Sequence, residues 1–174
     1  MKKMIVKFCL LGEGAVGKTS LILRFVKDVY GEKYITTIGT NVTKKVVELQ
    51  DKNIEMTMMI WDIMGQAGFR QILKNSYFYG AQAGIVVCDL TRRNTFKELE
   101  GWIDALHSVA ENAHIVIIGN KCDLKDEIEI TEKELSDFAS KYDAYCCITS
   151  AKTGENVEKA FNYLGNKIAD SSEN

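Results

Sequence analysis

The stretch GEGAVGKTS, residues 12–20, stands between two apolar runs, MIVKFCLL (4–11) and LILRFV (21–26). A glycine-rich turn joining a strand-like run to a helix-like one sets the architecture, because the same alternation recurs along the chain. Strand-like runs follow at VTKKVVEL (42–49), MTMMIWD (56–62), GIVVCDL (84–90), HIVIIGN (114–120) and AYCCITS (144–150). Between them, SLILRFVKDVY (20–30), FRQILKNSYFYGA (69–81), TFKELEGWIDALHSVAE (95–111), TEKELSDFASKY (131–142) and NVEKAFNYLGNKIA (156–169) carry apolar residues at helical spacing. Four of the strand runs are almost continuously apolar, as strands covered on both faces are, whereas VTKKVVEL has a wet side and reads as an edge. The expectation is an α/β fold with a six-stranded, mostly parallel sheet, one antiparallel edge strand and about five flanking helices. Thr131 followed by Glu134 predicts a capping box at the start of the fourth helical segment.

With 174 residues, 46% of them hydrophobic, the chain can build one sizeable core, so a single domain over 1–174 is expected, with 170–174 as a short polar tail. Lys and Arg number 22 against 24 Asp and Glu, and the isoelectric point is about 5.8. Lacking a basic excess, the chain would not hold a nucleic-acid backbone or an acidic membrane by bulk electrostatics. Five cysteines (Cys9, Cys88, Cys122, Cys146 and Cys147) form no C-x-x-C pair, and four lie in apolar strand-like runs. They read as reduced thiols in a cytoplasmic protein. The opening MKKMIVKFCLLGEG has the outline of a signal peptide, but Lys7 interrupts its apolar part and glycines stand where a cleavage site would be. It is also too short to span a membrane.

In a sheet wound this way, ligands bind beyond the carboxyl ends of the strands. GEGAVGKT follows the first run, DIMG the third, NKCD the fifth and SAK the sixth, so four polar motifs fall at one edge. The first fits G-x-x-x-x-G-K-[ST], the signature of the P-loop NTPase fold. Backbone N–H groups of Gly12, Glu13, Gly14, Ala15, Val16 and Gly17 can curl around phosphate oxygens, and the helix entered at Ser20 adds its positive end. Lys18 brings a cation to the outer phosphates, and Thr19 offers a hydroxyl to Mg2+, a hard ion that prefers oxygen. A flexible glycine turn is the plain alternative, and the motif alone does not name the base.

In WDIMGQAGF, Asp62 can hold Mg2+ through a water, and Gly65 can bring a backbone N–H to a terminal phosphate without a side chain in the way. Gln66 both donates and accepts, as orienting an attacking water requires. Taken alone, such a string is also an ordinary surface turn. NKCD (120–123) reads the base: the Asp123 carboxylate can accept from the N1–H and amino group of guanine, whereas adenine would leave it unpaired, a difference of roughly 10⁴ or more. Asn120 would hold N7 and tie loops together, and the stem of Lys121 would lie along the ring. Ser150, Ala151 and Lys152 form a second wall, with the Ala151 N–H toward the guanine oxygen.

With GEGAVGKTS, TTIG, WDIMGQ, NKCD and SAK in this order, the chain resembles a small GTPase of the Ras superfamily over residues 4 to about 169. TTIG, YFYGAQAGIVV and CDLT are most similar to the Rab branch, although TTIGTNV lacks the usual aromatic after its glycine. The resemblance implies a switch that binds GTP and GDP with Mg2+ and hydrolyses GTP, acting as a monomer. Thr37 would be the second hydroxyl on Mg2+, with its N–H on the γ-phosphate. Tyr30 would meet the guanine edge-on, and Tyr34 would close over the phosphates, although a plain amphipathic helix-end role fits Tyr34 too. Segments of about 31–40 and 63–76 would be the switches read by effectors, exchange factors and GTPase-activating proteins.

Two departures stand out: Ala67 replaces a glutamate that serves catalysed nucleotide release, and Met64 replaces a small residue near the metal. Equal hydrolysis and exchange rates for wild type and Met64→Ala would remove any kinetic role for the latter. The segment before Thr37 offers no internal arginine finger, so slow intrinsic hydrolysis is expected. KIADSSEN carries no C-a-a-X box or basic run, and hence no membrane anchor within this sequence. Two other functions compete: a GTP-holding scaffold with little hydrolysis, which the intact Gln66 opposes, and an ATP-dependent P-loop kinase, which NKCD opposes.

Overall fold

The computed structural model describes residues 1–31 and 36–172. Six strands, β1 (Lys2–Leu11), β2 (Thr40–Leu49), β3 (Ile54–Ile63), β4 (Ala83–Asp89), β5 (His114–Asn120) and β6 (Tyr145–Thr149), form one sheet in the order β2-β3-β1-β4-β5-β6. Only β2 runs antiparallel, paired with β3 from Thr40↔Ile63 to Leu49↔Ile54. The expected mixed sheet and its antiparallel edge are therefore present. The helices are α1 (Lys18–Lys27), α2 (Ala67–Phe78), α3 (Arg93–Lys97), α4 (Leu99–His107), α5 (Glu132–Ser140) and α6 (Val157–Ser171).

Helices cover the parallel strands on both faces, which explains their apolar runs. On one side, Leu21, Ile22 and Phe25 of α1 and Phe161, Leu164 and Ile168 of α6 close over Phe8, Leu10, Met58 and Ile85. Phe25 and Phe161 stack with centroids 4.1 Å apart. On the other side, Trp102, Ile103 and Leu106 of α4 and Leu135 of α5 meet Cys9, Leu11, Val86 and Ile117. Each such fully buried side chain contributes about 1.5–3 kcal/mol. All five cysteines are free thiols.

Boundaries differ from the sequence reading at most elements, and three of the differences are instructive. The helical pattern at 95–111 comes as two helices, giving six among the described residues, because the Glu98 N–H turns back to the Phe96 carbonyl while its carboxylate pairs with Arg70 at 3.3 Å. Nearer the start of the chain, α1 begins at Lys18, two residues before the expected start, so this lysine lies inside its first turn. Finally, α6 runs to Ser171, taking in the first two residues of the expected polar tail. The capping box at Thr131 forms as expected, the Glu134 N–H donating to the Thr131 hydroxyl at 3.2 Å and the Thr131 N–H to the Glu134 carboxylate at 2.9 Å.

Register brings the polar strand ends into line. Asn120 on β5 pairs with Asp89 on β4 and with Thr149 on β6, and Asp62 on β3 pairs with Leu10, just ahead of the loop at 12–17. The backbone N–H of Met64 donates to the Gly39 carbonyl at 3.0 Å, extending the β2–β3 ladder by one bond beyond its last pair.

Candidate nucleotide site

The loop from Gly12 to Gly17 wraps the start of α1. Gly17 caps the helix with φ 104°, and a Cβ there would lie 2.2 Å from the Asn120 Nδ2, so no other residue fits the position. No side chain caps α1, which leaves its first N–H groups for a ligand. Lys18 is buried at 6% exposure, and its Nζ donates to the carbonyls of Gly12 at 2.8 Å and Glu13 at 2.7 Å. Burial pulls its pKa down to about 8, against the raising influence of Asp62 and Glu13. The ammonium is thus tethered to the very loop whose amides would hold phosphate. Val16 is buried in the core, Ala15 has φ 62°, and Ser20 is half-buried on α1.

Three oxygens gather beside this lysine. The Thr19 hydroxyl donates to Asp62 Oδ2 at 2.5 Å, lies 3.0 Å from the Thr37 hydroxyl, and Thr37 reaches the same carboxylate oxygen at 3.5 Å. Asp62 is buried, its Oδ1 has no hydrogen-bond partner, and burial raises its pKa despite the Thr19, Lys18 and Thr37 contacts. An oxygen-rich corner with one buried carboxylate oxygen left without a partner fits a hard dication whose remaining ligands come from phosphate and water. No cluster of three or more His, Cys, Asp or Glu that could hold a metal ion occurs among the described residues.

Gly65 leans on the phosphate loop: a Cβ there would meet the Glu13 carbonyl carbon at 2.5 Å and the Gly14 nitrogen at 2.6 Å. Gln66 follows in extended conformation, exposed at the start of α2. Met64 lines a cleft with Ile63, Arg70, Lys74, Tyr77, Phe78 and Trp102.

At the far end, Asn120 joins three loops. Its Nδ2 donates to the Val16 carbonyl at 2.9 Å, and its Oδ1 accepts from the Thr149 hydroxyl at 2.9 Å and the Ala151 N–H at 3.3 Å. Asp123 accepts from the Ser150 hydroxyl at 2.7 Å, which joins the two base-reading motifs. Ala151 is buried and Lys152 exposed. Asn120 thus bonds both the loop at 12–17 and the loop at 150–152, and the hydrogen bonds and close approaches above link Lys18, Thr19, Thr37, Asp62 and Gly65 around the 12–17 loop and Asn120, Asp123 and Ser150 beside it. Tyr30 is 40% exposed, two residues beyond the left-handed Asp28 that ends α1. Tyr34 lies outside the described residues.

The Ras family model matches residues 7–170. The chain belongs to the Ras family. Among curated relatives it is similar to the Ras-related protein Rab-22A of Canis lupus familiaris, of Homo sapiens and of Mus musculus, each 36% identical over 170 residues, 97% of this chain and 86% of the relative. It is a Rab-like switch that binds and hydrolyses GTP.

Several residues of this Ras-family site were not legible from motifs. Arg24 on α1 donates from Nε to the Ala151 carbonyl at 2.9 Å and from Nη2 to the Lys152 carbonyl at 2.6 Å, holding the SAK loop. Trp102 on α4 donates to the Glu13 carboxylate at 2.9 Å. Asp89 at the end of β4 and Arg92 just past it link Lys121 to Gly14. Of these, only Asp89 carried a signal, a polar residue at the carboxyl end of an apolar strand; the arginines and the tryptophan sit in helical or turn context that fits ordinary surface and core roles.

Proposed function

We propose that the backbone of residues 12–17, with Lys18, Thr19 and Ser20, holds the phosphates of GTP or GDP, that Thr19, Thr37 and Asp62 hold Mg2+, and that Asn120, Lys121, Asp123, Ser150, Ala151 and Lys152 select guanine. The observation that carries this reading is Asn120, whose one amide bonds the phosphate loop through Val16 and the second base-reading loop through Ala151. An arrangement that ties the two ends of a ligand site together through a buried side chain fits a molecule with phosphates at one end and a base at the other.

When bound, Mg2+ supplies charge stabilisation at the outer phosphate oxygens. The Lys18 ammonium, aimed by the Gly12 and Glu13 carbonyls, neutralises charge that grows on the leaving phosphate oxygens. Gln66 orients the attacking water from the start of α2, and the Gly65 N–H lies where no side chain blocks a terminal phosphate. Thr37 and Gly65 belong to the segments 31–40 and 63–76, which are the switches read by effectors, exchange factors and GTPase-activating proteins. On this reading the chain works as a monomer in the cytoplasm.

Competition of unlabelled GTP, ATP and XTP against fluorescent GDP tests the assignment. Wild type should prefer GTP over ATP by roughly 10⁴. Asp123→Asn exchanges one acceptor for a donor, matching the N1–H and C2 carbonyl of xanthine, and should shift preference from GTP toward XTP. Equal competition by ATP and GTP would refute the reading.

A further inference from the structure

The turn after β4 carries a polar network that reaches both ends of the site. Asp89 is fully buried and answers four donors: the Thr91 N–H at 2.9 Å and hydroxyl at 2.6 Å on Oδ1, and Arg92 Nε at 3.0 Å and Lys121 Nζ at 2.7 Å on Oδ2. A carboxylate removed from water persists in a fold only when its lone pairs are met, and here they are. Burial alone pushes its pKa up, and the hydrogen bonds of Lys121, Thr91 and Arg92 more than reverse this, leaving it below the usual carboxylate range. Lys121, held in the left-handed region at φ 71°, therefore has its ammonium anchored while its stem stays in the base-reading loop.

Arg92 uses the other side of its fork. Its Nη2 donates to the Gly14 carbonyl at 2.9 Å. Gly14, together with Glu13, faces Gly65: a Cβ placed on Gly14 would lie 3.6 Å from the Gly65 carbonyl oxygen. The Arg92 charge is also close enough to act on Lys18, whose pKa it helps to lower after burial has done most of that. A planar guanidinium can meet a carboxylate and a carbonyl at once in fixed geometry, which a lysine ammonium on a flexible stem does not reproduce.

We propose that Arg92 is a positioning residue for GTP hydrolysis: braced by Asp89, its guanidinium fixes the Gly14 wall of the phosphate loop against Gly65, and so sets the distance at which Gln66 presents water. Through the shared carboxylate the same brace joins the Lys121 end of the site to the phosphate end. The inference rests on the assignment of Gln66 and the phosphate loop made above. It supplies from the turn after β4 an arginine that the segment before Thr37 lacks, although this one acts through the backbone of Gly14.

The test measures single-turnover GTP hydrolysis, release of fluorescent GDP and thermal unfolding of the GDP-bound chain for wild type, Arg92→Ala, Arg92→Lys and Gln66→Leu. Arg92→Ala should hydrolyse about tenfold more slowly, the scale expected when a reacting group shifts by less than an ångström. GDP release should change by less than about threefold, since the base loop and Lys18 keep their other bonds. Arg92→Lys should stay within about threefold of Arg92→Ala, because it keeps the charge and loses the fork. Unchanged hydrolysis in Arg92→Ala, full recovery in Arg92→Lys, or equal losses of hydrolysis and GDP retention would each overturn the proposal. If Arg92→Ala does not fold, Arg92→Lys alone decides, slow hydrolysis with normal GDP retention supporting it and wild-type hydrolysis refuting it. Hydrolysis by wild type that Gln66→Leu abolishes and Arg92→Ala leaves intact sinks this inference only; a wild type that does not hydrolyse GTP sinks the underlying assignment as well.

Discussion

The indole N–H of Trp102, buried on α4, donates to the carboxylate of Glu13 in the phosphate loop at 2.9 Å. The Arg70 guanidinium of α2 sits 5.2 Å from the centre of the Trp102 ring. One side chain thus touches both the loop proposed to hold phosphate and the helix that follows Gln66. Trp102→Phe keeps most of the buried area and loses the bond, and should destabilise by about 1 kcal/mol. Glu13→Ala leaves the indole N–H without its acceptor and should cost about 1–3 kcal/mol. Urea unfolding of the GDP-bound chain checks both, and the double variant should be less destabilised than the sum. Strict additivity would mean the two residues do not interact.

Gly17 gives a sharper case. Its φ of 104° and the 2.2 Å approach of Asn120 Nδ2 to any added Cβ mean that Gly17→Ala must displace the Asn120 amide from the Val16 carbonyl. Strain of about 1–3 kcal/mol is expected, and nucleotide affinity should fall at least about tenfold because the loop and the base reader separate together. Isothermal titration with GDP measures it. Affinity equal to wild type would show that the tie is dispensable.

Lys18 sets a pH dependence. Before phosphate binds, burial holds its pKa at about 8. Phosphate favours the charged form and must raise that value, so the bound state holds the proton more tightly than the free one. Affinity for GDP should be level below pH 8 and then decline, by up to about tenfold per pH unit, until the bound-state pKa is reached. Fluorescent-GDP titrations from pH 7 to 10 report this, and uptake of protons on binding at pH 8.5 is the calorimetric counterpart.

Glu134 governs an acid-side effect. The Arg93 bond first, then the Thr131 N–H and hydroxyl, bring its pKa from 4.5 to about 2. A depressed carboxylate stabilises the fold above its unfolded pKa and ceases to do so as pH falls through the folded value. Glu134→Gln should therefore lower the melting temperature at pH 7, and the gap from wild type should close between pH 4.5 and 2. A gap that persists at pH 2 would assign the effect to packing.

The sheet and its antiparallel edge were legible because the period of the apolar residues changes from continuous to alternating where cover is lost, as at VTKKVVEL. Residues such as Lys18, Thr19, Asp62, Asn120 and Asp123 were legible because each lies at the carboxyl end of a strand or in the motif that follows one, so the parallel register carries them to one rim. Less visible were the residues that reach the site across the fold. Arg24 meets the Ala151 carbonyl from 127 positions away, and Trp102 meets Glu13 from 89 away. Their local patterns record only helical periodicity, since a long side chain on a helix looks the same whether it ends in solvent or on a distant carbonyl. The break at Glu98 escaped for a related reason: it is set by the pairing with Arg70 on another helix, which no local propensity encodes.

The bond from the Met64 amide to the Gly39 carbonyl has a mechanical meaning. Thr37, which reaches Asp62, lies two residues before one end of this stitch, and Gly65, which rests on the phosphate loop, lies one residue after the other. Pulling on either strand of the seam moves both, so a partner that grips only one segment still learns the condition of its neighbour. The molecule speaks with a single voice at that rim.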